Sequence, residues 1–247
     1  MKHFLVVQHT YSEFLGLIET RLEQRDIGFT YVRPFTGQSL PGTALQHDAL
    51  WLLGGAYPVT DTERQPWIDD ELRLIALFQR ARRPVVGLGF GGLLLARAAG
   101  GTARTEPAHS AYWSRALATE AGRDDPLAQA VDGRRVLVLY NGAVDLPEGV
   151  PPLVVDEQGR WIAARPGEAA YALLFRPELK PGMLEDMIME EGRPTPENIG
   201  ELLDEARRQW PETQETTDRV LVALVSALDL MQERRKAPVY SLNVVAK

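Results

Sequence analysis

Three short stretches of this chain hold the residues whose types and spacing could do chemistry. Gly54-Gly55 follows directly on the apolar run 48–53. The backbone N–H groups of such a turn can face an anion or a carbonyl oxygen, although a glycine pair is also plain turn punctuation. Gly87-Leu88-Gly89-Phe90-Gly91-Gly92 lies between an apolar run and an apolar, helix-periodic segment. A helix N-terminus opening at Gly91-Gly92 suits a phosphate or carboxylate. Phe175-Arg176-Pro177-Glu178 places a permanent cation two residues from a carboxylate. That spacing suits an ion pair of Glu178 with Arg176 or a neighbour, and the guanidinium suits a fork that grips a ligand carboxylate.

Other chemistry is excluded or unsupported. The chain has no cysteine, which rules out disulfides, zinc–thiolate sites, iron–sulfur ligation by the chain itself and thiolate nucleophiles. His3, His9, His47 and His109 are scattered without metal-ligand spacing, so neither a metal nor a cofactor is expected. His9 falls just past the first apolar run, at the edge where α/β sheets place their sites, and is expected at the surface. Ser110 has no turn around it that would make it a nucleophile. The glycine run also satisfies Gly-x-Gly-x-x-Gly, the dinucleotide-binding pattern. It is not in the first strand–helix unit, however, and Glu106, about twenty residues on, does not end an apolar strand. A net charge of −7 repels phosphate backbones, so nucleic acid is not an expected partner.

The elements that must position these residues read as an α/β protein. The apolar run His3–Gln8 suits a strand buried on both faces, and Phe29–Val32, Asp48–Leu53 and Pro84–Gly87 read as further strands. Between them, Phe14, Ile18 and Leu22 recur at helical spacing, with Ser12 as the expected cap. Pro66 opens a second helix carrying Asp69, Asp70 and Glu71 in its first turn, Arg80, Arg82 and Arg83 at its end, and the stripe Ile68, Leu72 and Ile75. Leu93–Ala99 follows as a third. Residues 101–175 hold short strand candidates at Arg135–Tyr140, Leu153–Asp156, Trp161–Arg165 and Tyr171–Phe175, an antiparallel or mixed section. From Pro181 the pattern is helical, at Met183–Glu190, Pro196–Gln209 and Thr216–Arg235. Tyr240–Val245 reads as an added strand or a docking tail.

The segments Leu52–Asp61, Pro84–Ala96, Tyr140–Pro147 and Phe175–Glu178, in this order, resemble the class I glutamine amidotransferases, particularly stand-alone members similar to the amidotransferase domain of GMP synthase. The resemblance covers Lys2 to Leu230. It implies a three-layer α/β sandwich with a mostly parallel, flavodoxin-like central sheet, plus C-terminal helices. It also implies that Gly54-Gly55 stands where the family forms part of its oxyanion hole, and Gly87–Gly91 where it has its Gly-x-Cys-x-Gly nucleophile elbow. Arg176 and Glu178 stand where it has the histidine and glutamate of its triad. Gly89 therefore replaces the cysteine and Arg176 the histidine, and Leu93 stands where a glutamine is often found. Glycine cannot attack an amide, and a guanidinium with a pKa of about 12 or above cannot act as a base near neutral pH.

These substitutions lead us to expect a chain that no longer hydrolyses glutamine and acts by binding. It would be a scaffold or regulatory subunit for a biosynthetic partner enzyme, or would hold a small carboxylate or amide between Gly54, Gly55, Phe90 and Arg176. The alternative is an ammonia-supplying amidotransferase subunit, or a related hydrolase, with a non-standard or partner-supplied nucleophile. We expect one domain over 1–235, helical from 181, and a tail over 236–247 that supports homo-oligomer formation or partner docking. Met1–Gln8 lacks the features of a secretory signal, and no apolar run reaches membrane-spanning length, so a cytoplasmic location is expected.

Overall fold

The computed structural model describes residues 2–190, 193 and 195–230. The end of the expected last helix, the tail 236–247 and the strand candidate Tyr240–Val245 lie outside the described residues.

Four largely apolar segments form the parallel part of the main sheet that begins at its β2 edge. Strands β1 (His3–Val7), β2 (Gly28–Val32), β3 (Ala49–Leu52) and β4 (Val85–Leu88) pair in parallel, in the order β2-β1-β3-β4. Strands β1, β3 and β4 are buried almost throughout, as a parallel sheet covered on both faces requires, whereas β2, at the edge of the sheet, buries only Val32 fully. Helix α1 (Leu17–Glu23) joins β1 to β2, α2 (Ile68–Arg80) joins β3 to β4, and α3 (Phe90–Ala98) leaves β4. The chain thus steps outward from β1 in one direction to β2 and in the other to β3. This is a topological switch point, the place where α/β sheets open a ligand crevice at the carboxyl ends of their strands.

The middle of the chain is mixed, as its turn-punctuated pattern suggests. Strand β5 (Thr102–Arg115) pairs antiparallel with β7 (Arg135–Asp145) as a separate two-stranded ribbon. The short β6 (Leu117–Ala118), β8 (Pro152–Val155) and β9 (Trp161–Gly167) extend the main sheet antiparallel. Strand β10 (Ala170–Leu173) returns beside β4 in parallel register, Tyr171 opposite Val86 and Leu173 opposite Leu88. The complete order is β2-β1-β3-β4-β10-β9-β8-β6.

The helices form the two outer layers. Helix α2 packs on α3, while α7 (Trp210–Ala227) packs on α1 and on α4 (Pro126–Val131). Helices α5 (Pro181–Met189) and α6 (Ile199–Arg208) form a smaller cluster with Leu137 and Leu139 of β7. This is the three-layer, mostly parallel α/β sandwich with C-terminal helices that the resemblance implies. No helix among the described residues is long and apolar enough to cross a membrane.

Two local expectations are corrected. Ser12 does not cap α1: the helix starts at Leu17, and Gly16 (φ 54°, ψ −114°) occupies the cap position without a side-chain bond. A Cβ on Gly16 would overlap the backbone carbonyl of Glu178, which accepts from the Leu17 N–H at 3.0 Å. The stripe expected at Ile68, Leu72 and Ile75 runs instead over Ile68, Glu71, Leu74, Ile75 and Phe78, so that Leu72 is half-buried and Glu71, in the first turn, is fully buried.

Candidate functional site

The carboxyl ends of β1, β3, β4 and β10 are adjacent, and each is followed at once by one of the residues in question. His9 follows β1, Gly54-Gly55 follows β3, Gly89 follows β4 and Arg176 follows β10. The site exists because a parallel sheet carries all four ends to one edge.

Gly89 forms the turn between β4 and α3 with φ 53° and ψ −113°, a conformation that L side chains seldom adopt. Its N–H donates to Leu173 O at 2.8 Å and its carbonyl accepts from Leu93 N at 3.0 Å. Added Cβ atoms at Gly91 and Gly92 would overlap the Leu52 carbonyl or lie 2.6 Å from the Leu173 carbonyl. Glycines there let α3 lie close on the sheet. Over Gly89 there is no open pocket: a Cβ on it would lie 3.0 Å from Arg176 Nη1 and 3.0 Å from Leu139 O.

The side chain that fills this space is Arg176, only 1% exposed. Its Nε donates to Glu178 Oε1 at 2.6 Å, Nη2 to Glu13 Oε2 at 2.5 Å and Nη1 to Leu139 O at 3.3 Å. Leu139 belongs to β7, which runs alongside because Arg176 N donates to Leu137 O at 2.8 Å. The sequence suggested an open carboxylate fork for a ligand. In the fold that fork is already closed on two of the protein's own carboxylates. Burial alone would lower the guanidinium's pKa, but Glu178 and Glu13 outweigh it and raise it further. Arg176 is a fixed cation at every physiological pH.

The two carboxylates differ. Burial pushes Glu13 up, but Arg193 and Arg176 outweigh it and hold the carboxyl at about 2. Burial pushes Glu178 above its ordinary value, with Arg176 opposing only in part. Its Oε2 is buried without a hydrogen-bond partner. Such opposed environments separate the two groups: Glu13 is the secure anion and Glu178 the strained one.

A second buried pair stands beside the first. His9, expected at the surface, is buried, with Nε2 2.8 Å from Glu71 Oε1 and Nδ1 3.0 Å from the Gly54 carbonyl oxygen. Burial would lower its pKa, but the Glu71 carboxylate reverses this and raises it. Gly54 is the wedge between the two pairs. Its carbonyl meets His9, and a Cβ on it would overlap Glu13 Oε2 and the Arg176 guanidinium. Gly54 is therefore required by close approach as well as by the turn. Phe90 is fully buried, its ring 4.6 Å from His9 between centroids and 3.1 Å from where a Cβ on Gly55 would stand. In this conformation Phe90 packs the turn and faces no open cavity. The crevice beside Gly55, Asn141, Arg176 and Arg193 measures only about 10 Å³, the room one water takes.

The structure thus joins Gly54, Gly55, Gly89, Phe90, Arg176 and Glu178 in one place. Four members of the cluster escape sequence reading: Glu13 as an ion partner, Glu71 as a buried one, Arg193, and Glu190 as its neighbour. For Glu13 a signal existed, since it sits in the polar stretch Gln8–Glu13 just past a buried strand. For Arg193 no local signal did.

No family model matches the chain. It is 32% identical to a glutamine amidotransferase-like protein of Salmonella typhimurium, YfeJ, over 128 residues, 51% of this chain and 53% of that one. It is 28% identical to the GMP synthase of Thermotoga maritima over 170 residues, 68% of this chain and 31% of the synthase. The matches therefore span about half the length of the first relative and under a third of the second. Among solved structures, a glutamine amidotransferase of Methylobacillus flagellatus superposes with a TM-score of 0.80 at 20% identity, covering 96% of this chain and 99% of that one. One from Thermotoga maritima gives 0.76 at 20% identity, covering 91% and 98%. The chain thus has the fold of these glutamine amidotransferases and shares part of its sequence with a glutamine amidotransferase-like protein and a GMP synthase.

Proposed function

We propose that this chain is a non-catalytic amidotransferase-like protein that acts by binding, as a scaffold or regulatory subunit of a biosynthetic system. The observation that carries the reading is the packing of Arg176 over Gly89. The turn that would present a nucleophile has no side chain, and the space above it holds a guanidinium pinned by Glu13 and Glu178. The chain has no cysteine anywhere to substitute, and no group at the turn can take a proton from one, because Arg176 is a permanent cation. Beside the site, Tyr11 and Met189 are 70% and 83% exposed, and Tyr11 stacks edge-on against Phe35 at 4.7 Å. Exposed aromatic and methionine side chains at this edge offer a docking surface for a partner.

A glutaminase assay on the purified chain tests the reading. No turnover above background is expected. Turnover that disappears in Arg176→Met or Glu178→Gln overturns it. The sequence shared with the GMP synthase favours one second reading, an ammonia-supplying subunit completed by a nucleophile from a partner synthetase. Turnover that arises only when a synthetase is added would select it.

A further inference from the structure

We propose that Thr10, Ser12, Glu13 and Glu190 form a guanidinium-binding cradle that the protein's own Arg193 occupies, and that the cradle accepts a guanidinium group from a ligand in its place. The inference rests on the binding role proposed above and gives it a ligand class.

The cradle is built from groups that suit a planar cation. Arg193 Nη2 donates to Glu13 Oε1 at 2.5 Å, and Nη1 to Ser12 Oγ at 3.2 Å, Thr10 Oγ1 at 3.3 Å and Glu190 Oε2 at 3.3 Å. Glu190 is itself fixed, accepting from Tyr11 N at 2.9 Å and from the Ser12 hydroxyl. Two carboxylates and two hydroxyls thus converge on one fork, the geometry that distinguishes guanidinium from ammonium. The Glu13 side chain is wholly buried and that of Arg193 is 6% exposed.

Three features make this a seat as well as a brace. Thr10, Ser12 and Glu13 lie just past the carboxyl end of β1, at the switch point where α/β sheets take ligands. Arg193 belongs to no strand of the sheet; it follows α5 and reaches Glu13 across 180 residues of sequence. It also forms part of the wall of the crevice that Gly55, Asn141 and Met187 line, so withdrawing its side chain joins the seat to that crevice. With Arg193 withdrawn, the buried Glu13 carboxylate loses one of its two cationic partners. Arg176 pairs with Oε2 only, and Oε1 is left for the guest.

The test uses Arg193→Ala and methylguanidinium, with N-methylurea as the neutral isostere. Titration calorimetry is expected to show methylguanidinium binding at least about tenfold tighter than N-methylurea, the difference a charge-assisted pair supplies. Adding Glu190→Gln is expected to weaken that binding. L-Arginine and N-acetyl-arginine amide then separate the sources: tighter binding of the first identifies a free metabolite, and of the second a protein side chain. Equal binding of the charged and neutral probes, or none, overturns the proposal. Should Arg193→Ala fail to fold, methylguanidinium is expected to restore the folded fraction, because a ligand of the folded state alone stabilises it; no restoration overturns the proposal equally. Failure here in a chain that also lacks glutaminase activity removes the cradle and leaves the non-catalytic reading standing.

Discussion

Arg176 Nη1 lies 3.0 Å from the point where a Cβ on Gly89 would stand, so the arginine and the glycine occupy one shared space. Replacing either alone damages the other's environment. Gly89→Cys is expected to destabilise the fold by about 1–3 kcal/mol, from the positive φ and the crowding together, and to give no glutaminase activity. In the Gly89→Cys/Arg176→His double variant the crowding is relieved, so the two losses are expected to sum to more than the measured one. Urea unfolding of the four proteins of this cycle measures that coupling.

Arg176 holds two buried carboxylates, so its charge matters more than its bulk. Arg176→Met is expected to cost about 3–5 kcal/mol, the penalty for leaving buried partners uncompensated. Adding Glu13→Gln and Glu178→Gln is expected to recover part of that loss. Chemical denaturation of the single and triple variants checks it, and an unaltered single variant would show that the pairs contribute nothing.

Glu13 sets an acid limit. Its folded pKa, about 2, is below the unfolded carboxyl value, so its contribution is present above about pH 4.5 and is lost as pH falls towards 2. One group shifted this far contributes about 3 kcal/mol. Glu178 is shifted the other way and offsets part of this, since its raised pKa favours the folded state at low pH. Glu13→Gln is expected to flatten the fall in melting temperature between pH 5 and pH 3, and Glu178→Gln is not.

His9 sets the opposite limit. Its folded pKa is raised, so the stabilisation from the His9–Glu71 pair is complete below the unfolded value of about 6.5 and disappears as pH rises through the folded value. A histidine proton resonance titrating above 6.5 is expected in the folded protein. Glu71→Gln should bring the midpoint down and remove the alkaline loss of stability.

Gly54 should tolerate no side chain. Gly54→Ala drives a methyl group into the Glu13–Arg176 pair and is expected to cost about 3 kcal/mol. Gly42→Ala, where a Cβ would meet nothing within 4 Å, is the control and should be near neutral. Melting temperatures of the two variants decide the comparison.

The fold was largely legible because buried parallel strands write themselves as continuous apolar runs, as at Phe4–Val7 and Val85–Val86. The glycine turns were legible because backbone geometry there admits little else. Strand β5 was not legible: Thr102–Arg115 is rich in small and polar residues, since a two-stranded ribbon buries little on its outer face. The site was half legible. Arg176 and Glu178 are two residues apart and declare their pairing, whereas Glu13 and Arg176 are 163 apart, a separation that no local pattern encodes. The burial of Glu71 was obscured because its position in the first turn of a helix offers a sufficient electrostatic reason for an exposed acid.

The separation of these partners also dictates when the site can assemble. Glu13 emerges early in synthesis, yet the two cations that neutralise it are made 163 and 180 residues later. Until then the first strand ends in a carboxylate that cannot be buried at low cost, and closing so long a loop is slow. Burial of Glu13 at the carboxyl end of β1 is thereby tied to the C-terminal third of the chain, which supplies both Arg176 and Arg193.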